Sequence, residues 1–155
     1  MSQSRFDSPE ASIEYMKRVA VAKSGFSNWL SVEPLVVWGG KSELLLELRP
    51  EMTQHHGFAH GAIVGLMADN ACAWAASSAV GDVVTGSYSI NFLAPAKGDQ
   101  LRSKGSVVKA GKRQVVVRAD VWSEAEGEEP VLVAVAQGTI VPTGIVTSKE
   151  TAKTA

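Results

Sequence analysis

The stretch HGAIVGLMADNACAWAA, residues 60 to 76, limits the possible folds more than any other part of the chain. It reads as the body of one helix that is apolar or small on nearly every side, and between Gly61 and Ala79 its only charged side chain is Asp69. Such a helix has no polar face to give to water and must be enclosed by a second layer. Upstream, SVEPLVVW and SELLLEL flank Gly39-Gly40 and read as a hairpin, with Pro34 at an edge or strand start. Downstream, VVTGSYSINFLAP, LRSKGSVVKA, RQVVVRADVW and PVLVAVAQGTIVP are separated by Pro95 to Asp99, by Ala110-Gly111-Lys112 and by SEAEGEE, and read as an antiparallel meander. The expected architecture is α+β: a single antiparallel sheet of about six strands curled around one long helix. Its open strand edges invite pairing across a two-fold axis.

Ser8-Pro9-Glu10 has the residues of a helix start, and Ile13, Met16 and Ala20 continue it at helical spacing to Gly25. The expected organisation is an N-terminal helix over residues 1–28 packing on the domain, the main domain over 29–142, and a flexible tail over 143–155. A formal net charge of -1 gives no field for nucleic acid. The N-terminus lacks the apolar run of a secretory signal. Residues 57 to 81 form a low-charge stretch, but Asp69-Asn70 at its centre and its many Ala, Gly and Ser residues argue against a membrane span. Cys72 is the single cysteine, so no internal disulfide forms, and the residue is expected to be small core packing in a reducing, cytoplasmic protein.

The central helix also carries the chemistry. Gly57, Gly61 and Gly65 fall at four-residue spacing and Asp69 continues the row, so a second backbone or a slim ligand can come close. The helix N-terminus at His60 and Gly61 presents N–H groups and the positive end of the macrodipole, suited to a polarised carbonyl oxygen. Asp69 has poor helical propensity and no basic residue within a turn, which suggests a general base or nucleophile; the bland alternatives are that it points to water, or that Asn70 and a backbone group satisfy it. Eight residues separate Gly61 from Asp69, about 12 Å along the axis, whereas a base and an oxyanion donor must both lie about 3 Å from one reacting group. One helix cannot supply both. If both act, they come from two antiparallel helices of a symmetric pair.

The same helix run, preceded by RPEMTQHHGFA and followed by SINFLAPAKGDQL and GKRQVVVRADVW, resembles the hotdog-fold acyl-CoA thioesterases of the phenylacetate-degradation (PaaI-like) type, over roughly residues 30 to 142. The resemblance implies a long helix wrapped by a curved antiparallel sheet, assembled as a homodimer or as a homotetramer built as a dimer of dimers. It implies that Asp69 acts on the thioester as nucleophile or base, that Gly61 donates its N–H to the thioester oxygen, that Gln54 helps place the carbonyl or water, and that Thr85 supports the attacking group. Gln54 and Gly61 would come from one subunit, Asp69 and Thr85 from its partner. The motif is usually His-Gly-Gly and is here His60-Gly61-Ala62, whose extra methyl narrows the acyl pocket. The implied reaction is hydrolysis of an aryl- or medium-chain acyl-CoA to free acid and CoA, without metal or cofactor; the alternative is a hotdog protein that binds acyl-CoA without turning it over.

His55, His56 and His60 could suggest a metal, but Gly57 interrupts them and no Cys joins them, so His60 is read as a helix-start residue and His55 or His56 as lining the entrance. Asn70 is a further substrate-side candidate. Trp29, Trp38, Trp74 and Trp122 read as core or interface, with Trp74 a candidate for the acyl pocket. Lys97, Arg102, Lys104, Lys109, Lys112 and Arg113, opposed in sequence only by Asp99, form a basic stretch; Lys109, Lys112 and Arg113 are the first candidates for the nucleotide phosphates of CoA.

Overall fold

The computed structural model describes residues 6–144. The elements are α1 (Pro9–Tyr15), a π-helical turn (Met16–Val21), α2 (Gly25–Leu30), β1 (Glu33–Trp38), β2 (Lys41–Glu47), a 3-10 turn (Pro50–Met52), α3 (Gly61–Val80), β3 (Val83–Phe92), β4 (Gln100–Ala110), β5 (Val115–Glu124) and β6 (Val131–Pro142). Ser8 caps α1 by accepting from the Ala11 N–H at 3.2 Å, with Pro9 in the first turn. The helical path does not end at Gly25. Ser24 caps a second helix, α2, which stops at Ser31 in the left-handed region (φ 60°). Its six residues bury only Ser27 and Leu30 and leave Phe26 and Trp29 exposed, too short an apolar pattern to announce a helix. Residues 145–155, most of the segment expected as a tail, lie outside the described residues; Thr143 is held by its N–H to the Asp82 carbonyl at 2.9 Å.

The strands form one antiparallel six-stranded sheet in the order β1-β2-β4-β5-β6-β3, and α3 lies across its concave face. This is a hotdog fold. The four downstream strands are not a simple meander. Strands β4, β5 and β6 do follow one another, but β3 pairs with β6 at the far edge, while β4 pairs with β2. The reason is the helix between them: α3 carries the chain across the sheet before β3 begins, so the hairpin rule for neighbouring strands does not apply there.

Nor is α3 enclosed on all sides. Ile63, Val64, Met67, Ala68, Ala71, Cys72, Trp74, Ala75 and Ala76 are buried, but Leu66, Asp69, Asn70, Ala73, Ser77 and Val80 are half-exposed and Ala62 is open, a stripe at helical spacing. The helix is long and apolar enough to cross a bilayer, and 61% of that stretch is buried within the protein.

Small residues set the closeness of helix and sheet. Ser42 Oγ donates to the Ala71 carbonyl at 2.7 Å, and a Cβ on Gly105 would stand 2.2 Å from that same carbonyl oxygen. Gly138 lies under Cys72, where an added Cβ would stand 3.0 Å from the Cys72 Cβ. Burial pushes the Cys72 thiol up to about 12, so it behaves as packing rather than as a nucleophile. Gly105→Ala is therefore expected to force α3 away from β4 and to cost about 1–3 kcal/mol or more, read as a fall in denaturation midpoint with an unchanged m-value.

Candidate active site

The loop before α3 is built to deliver its N-terminus. Thr53 and Ala59 form an isolated bridge, the Gln54 N–H donates to the Phe58 carbonyl at 2.9 Å, and the His60 N–H donates to Met52 O at 2.8 Å. Gly57 (φ 82°) makes the turn inside this loop, so it is not part of the helix and the small-residue row on α3 reduces to Gly61, Gly65 and Asp69. The Gln54 side-chain oxygen accepts from the His56 N–H at 2.8 Å, which fixes the amide's orientation and leaves its NH₂ group to donate elsewhere.

His60 is the N-cap of α3: its Nδ1 accepts from the Ala62 N–H at 3.0 Å, and its carbonyl accepts from Ile63 and Val64. Only the Gly61 N–H of this first turn finds no acceptor among the described residues. It opens into a depression of about 360 Å³ lined by Gln54, Phe58, Gly61, Val64, Phe92 and Leu93 among others. A free, dipole-backed N–H beside a free amide donor suits a carbonyl oxygen.

Asp69 lies two turns further on and is half-buried. Its partner is neither Asn70 nor a base: Thr85 Oγ1 donates to Asp69 Oδ1 at 2.7 Å. A bulge in β3 opposite Ile140 and Thr139, at Gly86, makes this possible. The extra residue shifts the alternation, so that Thr85, Tyr88 and Phe92 all turn toward α3. Tyr88 Oη lies 3.1 Å from where a Gly65 Cβ would be, and Phe92 3.6 Å from that of Gly61. Neither aromatic was singled out from the sequence, because strict alternation from Thr85 selects Ser87 and Ser89 instead.

The structure thus assembles two half-sites, Gln54 with Gly61 and Asp69 with Thr85. His55 is exposed and stacks its ring against His56 at 4.0 Å, and Ala62 is at the helix start but does not line the depression. Asn70 Nδ2 is buried without a hydrogen-bond partner among the described residues. Trp74 is buried in the core and Trp29 is exposed, stacked on Phe26 under the Arg49 guanidinium, so Trp29 is not core. The basic stretch is not opposed by Asp99 alone: Arg102 pairs with Glu43 and, at 2.6 Å, with Glu124, and Lys104 reaches Glu43 at 3.7 Å. Glu43 and Glu124 come from neighbouring strands, which the linear sequence hides. That leaves four exposed cations without ion pairs among the described residues: Lys97 in the β3–β4 loop, and Lys109, Lys112 and Arg113 at the β4–β5 hairpin. The hairpin is level with Thr85, since Val115 pairs with Ile140 and Ile140 with Thr85. No group of three His, Cys, Asp or Glu among the described residues could hold a metal.

The family model described as the thioesterase superfamily matches residues 56–129, which contain Gly61, Asp69 and Thr85. Over that span the chain is similar to the thioesterase superfamily. Among solved structures it is similar to a thioesterase family protein from Silicibacter pomeroyi (29% identity, covering 83% of this chain and 96% of that one, TM-score 0.77). It is also similar to a conserved protein from Pseudomonas aeruginosa (28% identity, 76% and 93% covered, TM-score 0.68). The fold is shared with the PaaI protein of the Escherichia coli phenylacetic acid degradation operon (21% identity, 88% and 97% covered, TM-score 0.77). No curated protein matches. The match and these neighbours support a thioester hydrolase, and the two half-sites are the groups available for that chemistry.

Proposed function

We propose that this protein hydrolyses aryl- or medium-chain acyl-CoA to free acid and CoA at sites shared by two subunits, and that Asp69, Thr85, Gly61 and Gln54 carry the reaction. The observation behind this reading is the pairing of Thr85 with Asp69 at 2.7 Å while the one free N–H of the helix start, at Gly61, lies two turns away on the same helix. About 12 Å of helix separates them, so a single thioester cannot touch both in one chain. A second copy resolves this. Strand β3 is an edge strand with Val84 and Phe92 more than half exposed, as is Leu93 just after it, and pairing it with its symmetry mate would set the two helices antiparallel.

In the shared site the carbonyl oxygen receives the N–H of Gly61 and the amide of Gln54 from one subunit. The Asp69 carboxylate of the other attacks the carbon or takes a proton from attacking water, with Thr85 orienting it. The tetrahedral oxyanion collapses, expelling the CoA thiolate; where water attacked this gives the free acid directly, and where Asp69 attacked it gives a mixed anhydride that water then hydrolyses to the acid and the free carboxylate. Lys109, Lys112 and Arg113, level with Thr85, supply charge for the nucleotide phosphates as they pass the hairpin. A panel of acetyl-, butanoyl-, octanoyl- and phenylacetyl-CoA assayed by thiol release tests the proposal. Turnover of at least one well above the spontaneous rate is expected, and no turnover of any would end it.

A further inference from the structure

Thr85 faces Asp69, Tyr88 faces Gly65 and Phe92 faces Gly61, so β3 and α3 run side by side with matched landmarks. If Gly61 of one subunit meets Asp69 of the other, the residue that meets its own copy is the one midway between positions 61 and 69, which is Gly65. The midpoint of 85 and 92 on β3 falls at Tyr88 and its neighbour. Two elements give the same answer, which puts the two-fold axis beside Gly65 and Tyr88.

We infer that Tyr88 from both subunits forms a wall at this axis that closes the acyl end of each site, and so determines which acyl groups are accepted. The inference rests on the shared-site reading above. Three observations carry it further. Tyr88 spans the space over Gly65 closely enough that a Cβ there would be only 3.1 Å from its hydroxyl, so the groove is blocked at that point rather than merely narrowed. The ring is 41% exposed in the single chain and its hydroxyl has no hydrogen-bond partner among the described residues, so it is held by nothing but its place on the strand. The unpaired hairpin cations Lys109, Lys112 and Arg113, proposed above for the nucleotide, lie beyond Thr85, so the nucleotide end of the substrate points outward and the acyl end inward toward the axis. From Asp69 to Gly65 is about 6 Å along the helix, the length of a butanoyl chain or of one phenyl ring. Longer straight chains run into the tyrosine pair, so of the two substrate classes proposed above the aryl one is favoured over the medium-chain one.

The test is the ratio of kcat/KM for octanoyl-CoA to that for butanoyl-CoA in the parent protein, Tyr88→Ala and Tyr88→Phe. Tyr88→Ala should raise the ratio about tenfold or more, because the lost ring admits the added methylenes. Tyr88→Phe should keep the parent ratio, because the ring and not the hydroxyl is the obstacle. Tyr88→Leu, a smaller truncation, should move it in the same direction and carries the comparison if the alanine variant does not fold. An unmoved ratio in the truncated variants, or an equal rise in Tyr88→Phe, overturns the role of Tyr88 while hydrolysis itself stands. Absence of hydrolysis of either thioester by the parent protein overturns the reaction instead, and this inference with it.

Discussion

Asp69→Asn is expected to lower kcat for acyl-CoA hydrolysis by about 10²–10⁴-fold, the range for removal of a positioned base or nucleophile. The substitution keeps the side-chain volume and one oxygen for the Thr85 hydroxyl, which donates to Asp69 Oδ1 in the parent. It removes the charge alone. Asp69 is half-buried and forms no ion pair among the described residues, so the melting temperature should stay close to that of the parent. The loss should fall on kcat rather than KM, because the carboxylate acts on the carbonyl carbon or on water and only in the transition state. Single-turnover hydrolysis by the parent in heavy-oxygen water then separates the two roles: label in the Asp69 peptide means direct attack, and label only in the product acid means activated water. An asparagine variant within a few-fold of the parent would remove Asp69 from the reaction.

The long helix was legible because Gly61–Val80 holds one charge and ends at a glycine, and the β1–β2 turn because Gly39 and Gly40 both take positive φ. The position of β3 was not. Strand order depends on where α3 delivers the chain, a tertiary outcome that local alternation does not encode. The same limit applies at the site. The Asp69 carboxylate and the Gly61 helix start could be picked out because each breaks a local pattern: an acid in an apolar helix, and a cap residue before a glycine. Tyr88 and Phe92 stayed hidden because the bulge at Gly86 reverses which β3 residues face the helix. A glycine inside a strand was the available signal, since a Cβ there would lie 3.2 Å from the Thr139 carbonyl oxygen. The basic stretch failed differently: Glu43 and Glu124 neutralise Arg102 and Lys104 is held to Glu43 from adjacent strands, and Lys97 and the hairpin residues kept the freedom that composition assigned to all of them.

Gly61→Pro deletes the N–H proposed to polarise the thioester and should reduce kcat by about 10²–10³-fold, the loss seen when one oxyanion donor is removed. Proline is a good residue at the first helical position, and His60 (φ -64°, ψ 140°) already has the extended conformation that a following proline demands. A Cβ at Gly61 meets only the Phe92 ring, at an ordinary 3.6 Å, and His60 still caps the Ala62 N–H, so the helix start survives. Mixing this variant with Asp69→Asn then asks whose groups cooperate. In a hybrid dimer one site combines the intact Asp69 of the proline chain with the intact Gly61 of the asparagine chain, and the other site has neither. Refolding the two inactive proteins together in equal amounts makes half the dimers hybrid, each with one working site in two, so about a quarter of parental activity should return. Were both groups drawn from a single chain, every site in every mixture would lack one of them and no activity would come back.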